Sequence, residues 1–241
     1  MEDTLIYRIL GGRNLIGTLV NVATIVTGTA IGLAIKKGIP ERMKDTIMQG
    51  LAMATMIIGI QMALQSKNML IVVLSVVLGA ITGELLNIED KLGSIGSWME
   101  GKIGNGKGEF ARAFVTASLV YCVGAMAIVG SIQDGLSGDS NTLYVKSLLD
   151  GVASIVFAST MGIGVGFAAI PVLVYQGSIT LLAQFLQNIL TQPVIFEMTA
   201  TGGVLILGIG IKILGLKDIK VGNLLPAIFY AVLLALFFPK I

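Results

Sequence analysis

The chain has 241 residues, 55% hydrophobic and 12% charged, with a mean hydropathy of +0.90 and a formal net charge of +2. Water-soluble domains carry about 25% charged residues, so lipid is the expected solvent for most of this surface. The near-neutral balance excludes a nucleic-acid partner. A single cysteine, Cys122, excludes an internal disulfide and a multi-cysteine metal site, and there is no histidine. That absence removes the commonest general base and metal ligand, and every Ser-His or Cys-His nucleophile, so the chain is not read as an enzyme.

The start, "MEDTLIYRILGGRN", is mixed and acidic and does not read as a cleavable signal. Residues 1–14 are taken as an N-terminal extension or a short interfacial helix, and 15–241 as a single transmembrane domain. A span needs about 20 mostly apolar residues. Seven plain segments follow, at about 15–35, 45–65, 69–88, 111–132, 145–166, 198–215 and 221–239. An eighth stretch, about 167–190, carries Pro171 after Gly162, Gly164 and Gly166. The proline predicts a break there, so the stretch is a full span or a re-entrant hairpin. Eight spans place eleven of the 16 basic residues on one side, which favours eight and puts both termini outside. The fold class is all-α and polytopic.

Slid along itself, the chain lays Gly28 on Gly177 and Ile57–Ile60 on Ile206–Ile209 without gaps. Spans 1–3 and 6–8 would then be an inverted-topology repeat, as in many secondary transporters. Gly28 and Gly32, Gly79 and Gly83, and Gly162 and Gly166 have the small-xxx-small spacing that lets helix backbones meet in lipid.

Polar groups within spans are costly and therefore informative. In the first span Asn21, Thr24 and Gly28 share a helix face. In the fourth, Gln133 and Asp134 close the run. In the fifth, Ser147, Asp150 and Ser154 share a face, and Lys146 stands four residues before Asp150, the spacing of an ion pair. In the sixth, Gln176, Thr180, Gln184 and Gln187 form a polar stripe. The short connection between spans 4 and 5 predicts that Asp134 and Asp150 lie close. Glu84, Gln49 and Gln176 gather toward the inner half, and Glu197 opens span 7 on the outer side. Asp139 reads as a turn or capping residue. "GKIGNGKG", Gly101–Gly108, has phosphate-loop spacing, but Gly108 replaces the Ser/Thr and no strand precedes it. Cys122 reads as a packed residue and Trp98 as an interfacial anchor.

Three runs, "IGTLVNVATIVTGTAIGL", "YCVGAMAIVGSIQDGLSGD" and "KSLLDGVASIVFASTMGIGVGFAAIPVLVYQGS", resemble the bacterial membrane family called domain of unknown function 554. The resemblance runs from about Ile16 to the C-terminus. It implies a multi-pass protein of the bacterial inner membrane with a transport role and no assigned substrate. Its motif positions are Gln133, Asp134, Lys146, Asp150, Ser154 and Gln176. These overlap the residues selected by cost in lipid.

The expected function is a secondary transporter for an ion or small polar solute, with alternating access around Asp134, Asp150 and Gln176. Asn21, Gln133, Lys146 and Ser154 complete the expected binding set. No cofactor is expected beyond a coupling cation such as H+ or Na+, and no metal is assigned. The expected partners are the bilayer, the solute and, for a homo-oligomer, further copies of the chain. The alternatives are an ion channel with the same lining and a non-transporting membrane scaffold.

Overall fold

A computed structural model describes residues 15–36, 40–91, 94, 109–122 and 124–237. The predicted extension at 1–14, Trp98 and the glycine-lysine loop at 101–108 lie outside the described residues. The chain is all-helical there. Its helices are α1 (Ile16–Lys36), α2 (Glu41–Ala63), α3 (Met69–Leu86), α4 (Glu109–Cys122), α5 (Ala125–Ser137) and α6 (Asn141–Met161). They continue with α7 (Gly164–Phe167), α8 (Ala169–Leu181), α9 (Ala183–Leu186), α10 (Gln192–Ile213), α11 (Val221–Leu224) and α12 (Pro226–Phe237). Six helical segments are long and apolar enough to cross a membrane, or seven if α4 and α5 together make one bent span. The chain from Val221 to Phe237 forms a shorter apolar helix.

Lipid dictates which face of each helix turns inward. On α6 the outer residues are apolar, with Leu148 67% exposed and Val152 55% exposed, whereas Lys146, Ser147, Asp150 and Ser154 are buried. This inverts the arrangement of a helix in a soluble protein. Hydrocarbon accepts leucine and valine, while a polar group finds partners only among other helices. The most enclosed helix is α10, buried on nearly every side.

Glycine sets how closely the helices pair. α1 lies along α6, α2 along α10 and α3 along α12. A Cβ at Gly28 would stand 2.3 Å from the Gly151 carbonyl oxygen, and one at Gly32 2.4 Å from that of Ile155. At the α2–α10 crossing the contact is reciprocal. A Cβ on Gly59 would meet the Gly203 carbonyl at 2.7 Å, and one on Gly203 would meet the Gly59 carbonyl at 2.6 Å. Gly79 and Gly83 stand in the same relation to Ala227 and Asn223. Close backbone approach adds dispersion contacts that leucine-against-lipid packing does not supply.

One break falls where the sequence predicts none, and another falls in the predicted glycine run but not at its proline. The segment 111–132 is not one straight helix: α4 and α5 meet at 59° across Gly124 (φ +153°), a conformation open to glycine. Pro171 does not break its stretch. It is the third residue of α8, in the first turn, where the missing N–H is unneeded. The interruption lies earlier, at Gly162 (φ +93°), which ends α6. The predicted polar stripe is also cut short. α8 stops at Leu181, so Gln176 and Thr180 are buried but Gln184 and Gln187 are exposed. Gln49 is exposed on α2 rather than turned inward.

Both ends of the bundle are tied by carboxylates. At one end Glu197, 3% exposed, accepts from Ser66 Oγ (2.6 Å), Lys67 N (2.7 Å) and Asn68 N (3.0 Å), fastening the turn between α2 and α3 onto α10. Glu197→Ala removes the acceptor of three hydrogen bonds and strands the Lys67 N–H, so it should cost about 3 kcal/mol. Thermal unfolding in detergent, with proteolysis at the 64–68 turn, measures this; an unchanged melting temperature contradicts the tie. At the other end Glu84 accepts from Lys220 Nζ (2.8 Å) and Asn223 Nδ2 (2.6 Å). Glu89 accepts from Lys212 Nζ (2.7 Å) and Gly222 N (2.6 Å). Hydrogen bonding from Lys212 also holds the exposed Asp218 carboxyl below the usual carboxylate range.

Candidate functional site: a buried polar network

Four helices meet around Asp150. Its Oδ2 accepts from Lys146 Nζ, one turn earlier on α6, in the ion pair that the spacing predicts. The same oxygen accepts from Asn21 Nδ2 of α1 at 2.9 Å. Asn21 Nδ2 also donates to Gln176 Oε1 of α8 at 3.2 Å. One turn further along α6, Ser154 Oγ is 2.8 Å from the Tyr121 hydroxyl of α4. Asn21, Tyr121, Ser154 and Gln176 have no solvent exposure, and Lys146 and Asp150 have 6% and 7%.

Local packing positions these groups. Gly28 and Gly151 let α1 and α6 touch, which brings Asn21 within reach of Asp150. Gln176 follows the proline-started first turn of α8. The tyrosine is held at the end of α4, just before the bend at Gly124. A cavity of about 170 Å³ opens at that bend, lined by Cys122, Gly124, Tyr175 and Thr199 among others. Its lining includes chain neighbours of Tyr121 and Gln176 but no residue of the network itself.

The network is not saturated. Asn21 Oδ1 and Gln176 Nε2 are buried without a partner, and so is the Thr199 hydroxyl on the cavity wall. Asp150 Oδ1 makes no hydrogen bond among the described residues, and a tenth of that side chain stays accessible. Asn21 Oδ1, Gln176 Nε2 and Asp150 Oδ1 each share a carbon with a bonded atom of the network, so these three lie within the span of one small molecule. Buried polar atoms are seldom left open, and each such exception calls for a cause.

The predicted residues separate into two groups. Asn21, Lys146, Asp150 and Gln176 are brought together, with Ser154 one turn away. Gln133 and Asp134 stand apart: Thr142 Oγ1 donates to Gln133 Oε1 at 2.7 Å, and Ser140 Oγ donates to Asp134 Oδ1 at 2.5 Å. Among the described residues no hydrogen bond joins either of them to the Asp150 network. The connection between α5 and α6 is short, but Asp134 bonds Ser140 within that connection, whereas Asp150 bonds Lys146 and Asn21. Glu84 likewise belongs to the bundle end rather than to Gln176. Asp139 accepts from Asn141 N at 3.0 Å, as a turn residue does. Among the described residues no three His, Cys, Asp or Glu side chains gather to hold a metal. Sequence reasoning missed Tyr121, whose mid-span phenol needed a hydrogen-bond partner.

The family described as "Protein of unknown function (DUF554)" matches residues 16–236. The chain belongs to this family. It is 35% identical over 216 residues to the "Uncharacterized membrane protein YdfK" of Bacillus subtilis (strain 168), covering 88% of this chain and 92% of that protein. It is 27% identical over 221 residues to the "Uncharacterized protein YqgA" of Escherichia coli (strain K12), covering 90% and 94%. No solved structure matches. Family membership and the helical architecture agree on a polytopic membrane protein.

Proposed function

We propose that this protein is a secondary transporter of the bacterial inner membrane, moving a small polar solute through the site around Asp150. One observation carries the reading: an ion pair and two amides from three helices meet inside the bundle with donor and acceptor valences left open. Two open acceptors and one open donor suit a solute bearing both kinds of group. The charge at the site is already balanced by Lys146, so the solute need bring no net charge.

Alternating access has support in the helix arrangement. The proposed repeat equates α1 with α8, α2 with α10 and α3 with α12, and each of these pairs is in contact. Broken helices at Gly124 and Gly162 place irregular backbone within the bundle, where a protein interior tolerates it.

The test uses a charge-neutral pair of changes, Lys146→Gln with Asp150→Asn, which keeps hydrogen bonding and leaves no lone buried charge. In reconstituted vesicles, currents or isotope uptake are measured across a panel of amino acids, sugars, nucleobases and inorganic ions. The parent protein should show saturable flux of one class, and the double variant should lose at least a hundredfold of it while staying folded. Equal flux from the double variant removes Asp150 from the pathway. Conductance without saturation assigns a channel instead.

A further inference from the structure

Asp134 is a buried carboxylate that neither the site around Asp150 nor the tie at Glu197 absorbs. It has no exposure, yet lies near the end of α5 with its charge uncompensated. Asp150 has Lys146, whereas among the described residues no cation pairs with Asp134. Ser140 satisfies Oδ1, and Oδ2 is buried with no partner. Three hydroxyls on the neighbouring elements are equally sealed and open: Thr18 on α1, Ser131 one turn earlier on α5, and Thr180 on α8. α5 meets α8 closely here, since a Cβ at Gly135 would stand 2.2 Å from the Thr180 carbonyl.

The charged and titratable groups on the surrounding helices are otherwise engaged. α5 packs against α1, α6, α8, α9 and α10. On α6, Lys146 and Asp150 neutralise each other and Tyr144 is exposed. On α10, Glu197 is bound to the Ser66–Asn68 turn, and Lys212 pairs with Glu89 and Asp218 at the far end. Asp139, in the connection to α6, is exposed and supplies no cation. α8 contributes only Tyr175, and α9 and the length of α1 before its last residue contribute none.

A carboxylate left ionised in such a place needs a counter-cation. A metal ion would need a shell of several oxygens drawn close around Oδ2, and no hydroxyl stands at hydrogen-bonding distance from that atom. A proton needs no cavity. From these facts we infer that Asp134 carries an exchangeable proton in this conformation and is the proton-coupling group of the transporter. Hydronium from water gives its proton to Oδ2 as the helices open, and the carboxylic acid returns it on the other side; nothing is oxidised or reduced. The coupling role rests on the transport reading above, but the protonated state does not.

Two measurements separate these parts. Infrared spectra of the protein in lipid at neutral pH should show the carbonyl stretch of a protonated carboxylic acid, moved by isotope-labelled aspartate. The band should vanish in Asp134→Asn and persist in Asp150→Asn. A band unaffected by Asp134→Asn, or no such band in the parent protein, overturns the inference even if the variant does not fold. In vesicles holding a trapped pH dye, Asp134→Asn should lose at least tenfold of the proton movement driven by an imposed gradient. Unchanged proton movement overturns the coupling role. Should the parent protein move no protons, the coupling role fails as well, while the solute-flux assay still decides the transport reading and the infrared result the state of Asp134.

Discussion

Lys146→Ala should destabilise the protein by about 3–5 kcal/mol, more than any other single change within the network. The loss does not equal the worth of the ion pair. It arises because Asp150 would keep a charge inside the bundle with only Asn21 to bond it. Replacing both partners with apolar residues of similar size, Lys146→Met with Asp150→Leu, should recover most of the stability, because the desolvation of two charges disappears with them. Chemical or thermal unfolding in detergent micelles gives both values. If Lys146→Ala costs under about 1 kcal/mol, the pair is solvated like a surface bridge and is not a buried site. The double apolar variant should also be inactive in transport, which separates the functional role of the pair from any structural one.

Gly28→Val should be comparably severe, by a different route. The added carbons would meet the Gly151 carbonyl from 2.3 Å, and backbone atoms cannot move aside as a flexible side chain can. α1 must then lift from α6, at a cost of about 1–3 kcal/mol or more for overpacking. The same shift pulls Asn21 from Asp150 and from Gln176, so transport should fall even where the variant remains folded. The control is Gly50→Ala on α2, where a Cβ meets nothing within 4 Å. That change should stabilise the helix by about 0.5–1 kcal/mol and leave transport untouched. Equal behaviour of the two variants would mean that the α1–α6 contact is not as close as described.

Much of the architecture was legible before the structure. Long apolar runs need no tertiary information to be recognised as membrane helices, since the bilayer imposes one solution on the backbone. The cost of polar groups in hydrocarbon selected Asn21, Lys146, Asp150, Ser154 and Gln176, and the i,i+4 spacing predicted the ion pair. Small-xxx-small spacing marked Gly28 and Gly32 as a helix contact. The helix breaks were less legible. Pro171 carried the expected signal but sits harmlessly in a first turn, whereas the bend at Gly124 and the end of α6 at Gly162 rest on dihedral angles that sequence does not print. Gln184 and Gln187 looked like a continuation of the Gln176 face only while α8 was assumed to run on.

By itself the sequence determined the solvent, the helical class, the family resemblance and the polar residues that must turn inward, because each follows from composition or from the local period of a helix. Only the tertiary structure decided which of those residues share a site. Asp134 and Asp150 are equally expensive in lipid and close in the chain, yet one bonds Ser140 alone and the other joins Lys146, Asn21 and Gln176. The physical reason is that burial is a property of one residue, whereas partnership depends on which helices glycine allows to touch.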